Sequence, residues 1–496
     1  MIYNKDPYFV DPRNGDFSLS LCSPAIDAGA NANIPAFLME DVTGISRVIN
    51  GVVDMGAYEF LDLEPQYRPT DVRNTNGNFA SRSLAGAIIC ANAHPGPDTI
   101  RFVLPGIAPH LIYPTYALPA LTDEGSVIDA SDFPLGDIRL DGSQLVPTFP
   151  TQVFSGLAFQ GTGIEVYGMD IRNFSEAGIS LSVSSNAARI GAAGKGNVLW
   201  NNQYENIRLH GSGHTIQSNY IGVTPEGMVA PNGAQGVNFY SAFNTDLKIH
   251  DIQIGGSRIA GEGNVFGGLS SGLSSPDLSN FVDTAYDIRI EGNYFGTNPD
   301  ETGVFPNGSA LRLYAENFQF KSVHFGGSSL DKGNVVAYAN TGIVLEQYTT
   351  EVAINHNKFY CNGSGIILYQ AANAGILPPA ITTADIFQIS GTALPGQTIE
   401  LYLSDNTNCP DSEACQGTTY LGEVIADATG NWLLDNFQQQ LFGDEQVTAT
   451  ATNSIPTTSE FAPCAVVVCP ESFGSLEQTL CANESLLING TTYDVN

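Results

Sequence analysis

Cations are what this sequence has least of. Lysine occurs six times in 496 residues, and Lys plus Arg reach only 19 against 51 Asp plus Glu, a formal net charge of −32. Nucleic acid and anionic lipid both demand clustered cations, so neither is expected as a partner. Long apolar runs are also missing. None approaches the ~18 residues of a membrane span, so no insertion into a bilayer is expected. The opening residues MIYNKDPYFVDP have neither a basic nor an apolar region, so they do not read as a signal peptide. The seven histidines form no HExxH and no His-x-His, which argues against zinc. What is plentiful is turn chemistry: 52 Gly, with many Asn, Ser and Thr, points to tight turns instead of long helices. Hydrophobics at 43% and aromatics at 10% are too many for a disordered chain.

The strongest signal is an internal repeat across 151–376. Ile190-Gly191 … Gly196-Asn197-Val198 returns as Ile254-Gly255-Gly256 … Gly263-Asn264-Val265 and again as Phe325-Gly326-Gly327 … Gly333-Asn334-Val335. Ser218-Asn219-Tyr220-Ile221-Gly222 returns as Gly292-Asn293-Tyr294-Phe295-Gly296. Units of roughly 70 residues hold about three coils of a β-solenoid. Within coils the apolar residues alternate, and Ile164, Val166 and Ile171 are read as sharing one face. The Gly-Asn phrases suit a turn that needs a left-handed residue. Asn197, Asn264, Asn334, Asn219 and Asn293 are therefore expected to stack as a hydrogen-bonded ladder that shapes a scaffold.

Around the repeat lie five other stretches. Residues 1–60 read as strand and turn, and 61–70 as a linker. Residues 71–150 contain one amphipathic helix, SRSLAGAIICANAHPG, capped by Ser81 or Ser83, which would plug the end of the first coils. In 377–463, Ile399, Leu401 and Leu403 alternate with Glu400, Tyr402 and Ser404, as in a small immunoglobulin-like sandwich. Residues 464–496 start a further, truncated module. The fold expected is all-β: a right-handed parallel β-helix with an N-terminal capping helix, followed by an Ig-like β-sandwich.

Eight cysteines suggest an oxidising compartment. Cys409 and Cys415 sit six positions apart in one loop and are expected to bridge, and Cys469 with Cys481 could staple the next module. Cys22, Cys90, Cys361 and Cys464 cannot be paired from sequence, and buried free thiols are the default for them.

Three phrases resemble known modules. Asp6-Pro7-Tyr8-Phe9-Val10-Asp11, Ser23-Pro24-Ala25-Ile26-Asp27-Ala28-Gly29 and Val53-Asp54-Met55-Gly56-Ala57-Tyr58-Glu59 together resemble the closing segment of the bacterial choice-of-anchor Q β-helix domains. Val72, Asn74-Thr75-Asn76, Ser83-Leu84, Ala87-Ile88, Ala91-Asn92-Ala93 and Pro95 to Phe102 resemble the N-terminal cap of bacterial right-handed β-helix proteins. Ile389-Ser390-Gly391, Pro395-Gly396 and Ala426 to Trp432 resemble bacterial Ig-like modules of large surface proteins. The whole resembles giant modular surface adhesins of Bacteroidota that leave the cell by the type IX route. That resemblance implies a segment of a longer secreted cell-surface polypeptide, an extended stalk or fibre for attachment. It implies partners met through lateral β-helix faces: further copies of the chain, or a cell-surface glycan.

Enzymatic chemistry is weighed as the alternative, because parallel β-helices often carry polysaccharide lyases and hydrolases. The polygalacturonase pattern fails in order and content. Asn244-Thr245-Asp246 has no following Asp-Asp, Gly213-His214 precedes it, and Arg289-Ile290-Glu291 lacks the lysine. A lyase needs Arg or Lys beside a held uronate, but Lys248, Arg258, Arg289 and Arg312 are scattered along the chain. From sequence the chain is therefore expected not to be an enzyme, with no catalytic residue and no cofactor. Calcium alone stays open, with Asp405, Asp411 and Glu413 in one loop and Asp300 and Glu301 in one turn as weak candidates. Tyr220, Tyr294 and Tyr360, with Phe295, Phe305 and Phe325, recur with the repeat and read as core or stacking residues before they read as a sugar platform. The alternative function is a carbohydrate-binding or polysaccharide-degrading β-helix.

Overall fold

Each apolar run of the repeat becomes a short strand that pairs in parallel with the equivalent run one coil away. A computed structural model describes residues 6–20, 22–49, 51–60, 72–74, 80–81, 83–93, 96–102, 108–114, 116–240, 249–275, 283–314, 318–347, 349–405, 409, 415–469, 485–488 and 491–494. The chain divides into two units, Met1–Asn219 and Tyr220–Asn496. No helix among the described residues is long and apolar enough to cross a membrane.

In the first unit, three parallel sheets wind around one core. Ile128, Val166 and Ile190 are in register in one sheet, and Leu140 and Ile171 in the second. Phe159 pairs with Leu181 in the third. All but the surface-pointing alternates are shielded from water. The helix Leu84–Ala93 begins where the Ser83 hydroxyl accepts the Gly86 N–H at 3.0 Å. It is not amphipathic: Leu84, Ala85, Gly86, Ala87, Ile88, Cys90 and Ala91 are all buried, on every side. Cys90 forms a disulfide with Cys22, so neither is a free thiol. Replacing both cysteines by serine opens a link of 68 residues and is expected to cost about 4 kcal/mol. The urea midpoint reads this directly, and an unchanged midpoint would count against the bridge.

The second unit has a three-sheet winding of its own. Ile252, Ile288, Val323 and Val352 form one inward column, and Ile254, Ile290, Phe325 and Ile354 the next. Phe266 stacks on Phe295 with centroids 4.6 Å apart. At one corner the Asn264 amide donates to Asn293 Oδ1 at 2.8 Å, Asn293 to Asn334 at 3.0 Å, and Asn334 to Asn357 at 3.0 Å. In the first unit, Asn197 donates to Asn219 in the same way at 2.9 Å. The left-handed residue the sequence suggested stands directly before the asparagine in two phrases, Ser218 at φ 61° and Gly292 at φ 64°; in the phrases of Asn197, Asn264 and Asn334 it is the earlier glycine instead, for example Gly255 at φ 80°. The glycine before the asparagine is needed for close approach, because a Cβ on Gly263 would overlap the carbonyl oxygen of Gly292 on the next coil.

The same unit ends in two antiparallel sheets. One holds Ala380–Ala384, Ile389–Thr392 and Asn431–Leu434. The other holds Thr398–Leu403, Thr419–Ile425, Gln446–Thr452 and Ala465–Val466. Ile389, Ile399, Leu401, Leu421, Trp432 and Val447 share their core. The polar alternates do not face solvent. Glu400 is 1% and Tyr402 3% exposed, because this face covers the last coils of the β-helix. The hydroxyl of Thr458 accepts the Ile354 N–H at 2.8 Å, and the Thr458 N–H donates to Val352 O at 3.0 Å. The open end of the solenoid is thereby capped.

The cysteines correct a sequence expectation here. Cys409 does not bridge Cys415: Cys361 of the last coil pairs with Cys409, and Cys415 with Cys464. Neighbours in one loop thus each reach a partner 48 or 49 residues away. Cys469 is disulfide-bonded, and Cys481 lies outside the described residues. The three disulfides among the described residues fit an extracellular or secreted protein.

Candidate functional site

The first sheet of the second unit carries the candidate site. Its strands are Ile249–Gly255, Asp283–Glu291, Phe318–Gly326 and Val352–Asn355. Asp251, Asp287 and Ser322 are left-handed at φ 54°, 54° and 51° within the first three, and Glu351 at 59° just before the fourth. Each is an extra residue between two buried positions, such as Ile249 and Ile252. The chain can then turn two successive side chains outward and still point the next apolar one inward.

Two outward columns result. His250, Tyr286 and Lys321 are in register on three successive strands, as are Gln253, Arg289 and His324. Neighbouring rungs are roughly 4.8 Å apart. The His250 ring lies parallel to Tyr286 at 4.9 Å, and its Nδ1 is 2.7 Å from Asp251 Oδ2. Arg289 and Lys321 are exposed, and among the described residues neither has a carboxylate at ion-pair distance. That is unusual in this chain. Arg312 pairs with Glu346 at 2.7 Å, Lys332 with Glu291 at 3.3 Å and Lys358 with Glu301 at 2.6 Å. Where carboxylates outnumber cations so heavily, two neighbouring free cations are available to an external anion. Beside Arg289, burial and then the Arg289 charge hold His324 below the usual histidine range, against the opposing pull of Glu291 and Asp287. Its imidazole is neutral at pH 7 and able to accept a proton.

The residues singled out from sequence fall elsewhere. Glu301 is engaged by Lys358, and Asp300 accepts the Thr302 hydroxyl at 2.7 Å, which with the Thr302 N–H lowers its pKa. Neither joins a set of converging metal ligands among the described residues. The Asp405 N–H donates to Thr418, while Asp411 and Glu413 lie outside the described residues, as do Asn244 to Asp246 and Lys248. Phe295 and Phe325 are core. Tyr220, Tyr294, Tyr360 and Phe305 pack with Val223, Val265 and Val335 in a cluster of their own, so they form no outward platform. The asparagines are buried in the corner ladder. Of the scattered cations, Arg258 donates to Leu330 O and Arg312 is paired. Among the described ones, Arg289 alone reaches the face. Sequence reasoning missed His250, Tyr286, Lys321 and His324. The spacing that unites them was there: His250 to Tyr286 and Gln253 to Arg289 are 36 residues, Tyr286 to Lys321 and Arg289 to His324 are 35.

The chain is thus a parallel β-helix protein with an exposed face of cations, imidazoles and a tyrosine. No family model matches it, and no curated protein does. Among solved structures it is similar to an alginate lyase from Paenibacillus sp. str. FPU-7, at 13% identity and TM-score 0.26, over 58% of this chain and 94% of that one. It is also similar to the pectate lyase Pel9A, at 14% identity and TM-score 0.24, over 58% of this chain and 72% of that one. Both are enzymes, so the expectation that this chain is not one is corrected and no longer stands. At these TM-scores neither carries an argument about what this chain binds or cleaves.

Proposed function

We propose that this protein acts on acidic polysaccharide outside the cell, holding a uronate-bearing chain across the outward columns of the second unit and cleaving it by β-elimination. The observation that carries the reading is the pair of exposed cations near neutral His324, Arg289 in register with it on the adjacent rung and Lys321 on its own strand, neither with a carboxylate at ion-pair distance among the described residues. Arg289 pairs with the uronate carboxylate and lowers the cost of charge building up beside it. His324 takes the proton α to that carboxylate. The electron pair left behind forms the C4=C5 double bond as the C4–O4 bond breaks, and the Lys321 ammonium gives its proton to the departing oxygen. Tyr286 and His250 extend the face along the next subsite. The resemblance that suggested an adhesive stalk supplies no site; the cationic face does, and it favours the polysaccharide-acting alternative.

Affinity electrophoresis tests the binding step. Migration is expected to be retarded in gels containing polygalacturonate or alginate and unchanged in gels containing a neutral glucan; equal retardation, or none, would remove the reading. The protonation claim has its own check. In an NMR titration His324 is expected to protonate below the ordinary value of about 6.5. Arg289→Ala removes one of the two causes, so the titration should move toward higher pH, and no movement would contradict the contact.

A further inference from the structure

A second cluster lies where the last coil meets the antiparallel sheets. His356 follows the strand Val352–Asn355, Glu400 sits on Thr398–Leu403 and Glu423 on Thr419–Ile425. Glu400 and Glu423 are directly opposite each other in the ladder. Like charges at such a position repel, and Glu400 is also out of reach of water at 1% exposure. One ligand atom from each of the three side chains lies within 4.8 Å of the other two. We propose that His356, Glu400 and Glu423 bind a divalent transition-metal ion of the Zn²⁺ class, which clips the last coil to the sheets that cap it.

The surroundings are those of a ligand set. His356 Nδ1 is 2.8 Å from the Gly327 carbonyl and 3.4 Å from Glu400 Oε1, so Nδ1 carries the proton toward these oxygens and Nε2 is the nitrogen left for a metal. Glu400 is held by the Asn355 amide at 3.1 Å, the His356 N–H at 3.1 Å and the Tyr402 hydroxyl. Ligating carboxylates are usually fixed by outer partners in this way. Donors around a tetrahedral ion stand about 3.3 Å apart, given bonds of roughly 2.0–2.2 Å. The exposed Glu423 side chain can swing to close the remaining gap. Imidazole among the donors selects a transition ion over Ca²⁺ or Mg²⁺. A cavity of about 590 Å³, lined by His356, Glu423, Tyr420, Ser328 and Ser329, leaves room for water at the fourth position. This site shares no residue with the cationic face and does not depend on it.

Isothermal titration of the chelator-stripped full chain with ZnCl₂ tests the assignment. One ion is expected to bind per chain, and Glu423→Gln, an exposed substitution that leaves the fold intact, should weaken it about tenfold or more. His356→Gln should do the same, and Asp300→Asn should not. Co²⁺ in place of Zn²⁺ should give visible bands that change in the His356 variant, which reports the imidazole even if that variant is less stable. Absence of saturable binding would overturn the proposal, as would equal binding by Glu423→Gln, or displacement of Zn²⁺ by a tenfold excess of CaCl₂.

Discussion

Asn293→Ala is expected to destabilise the second unit by about 3–5 kcal/mol, because several buried polar groups lose their partner together. Asn293 Oδ1 accepts from the backbone N–H and side-chain amide of Asn264, at 3.1 and 2.8 Å. Its own amide donates to Asn334 Oδ1 at 3.0 Å, Ile254 O at 2.9 Å and Glu291 O at 3.0 Å. Asn293 is fully buried, so water cannot replace what is lost. A solenoid couples each coil mainly to its neighbours. Hydrogen exchange should therefore accelerate first around 264–334. Asn340→Ala, at an exposed position, should change stability by no more than about 0.5 kcal/mol. Equal effects of the two substitutions in urea unfolding would mean that the ladder is decorative.

Arg289→Ala and Lys321→Ala are each expected to lower kcat/KM on an acidic polysaccharide by about a hundredfold or more. Both side chains are exposed and carry no ion pair among the described residues, so the urea midpoint should stay where it is. That separation matters, because a loss of activity through unfolding would move both readouts. The two variants should differ in how the loss divides. Arg289 holds the ground-state carboxylate as well as the developing charge, so its removal raises KM and lowers kcat. Lys321 acts on the leaving oxygen, so its removal falls chiefly on kcat. Unchanged kinetics in both variants would move the chemistry off this face.

The scaffold was legible in the sequence because its constraints are local. Gly-Asn phrases recur where neighbouring backbones approach and where buried amides must pair, and both needs repeat with each coil. The helix was legible as a helix but not as a buried one, since its period placed Leu84, Ala87, Ile88 and Ala91 on one face while Ala85, Gly86 and Cys90 are covered too. The polar alternates Glu400 and Tyr402 could not be read as buried, because what covers them is a coil some 45 residues away. The cysteines failed for the same reason: proximity in the chain favoured Cys409 with Cys415, whereas geometry joins each to a distant strand end. The candidate site was hidden by its period. Arg289 was noticed as a lone cation, but Lys321 and His324 become its neighbours only when the chain is folded back at 35 residues. The left-handed residues at 251, 287 and 322 shift the alternation, so a period-two reading assigns the wrong side chains outward.

The most direct measurement is the product of the reaction. Incubating the intact protein with polygalacturonate and with alginate, at a pH above the His324 titration, should release oligosaccharides with unsaturated uronate ends. These are seen as rising ultraviolet absorbance and as a mass lower by one water than the hydrolysis product. The account predicts that signal with the native chain and its loss with Arg289→Ala and Lys321→Ala. Hydrolysis products without the double bond, or no cleavage of any acidic polysaccharide together with no binding, would contradict it.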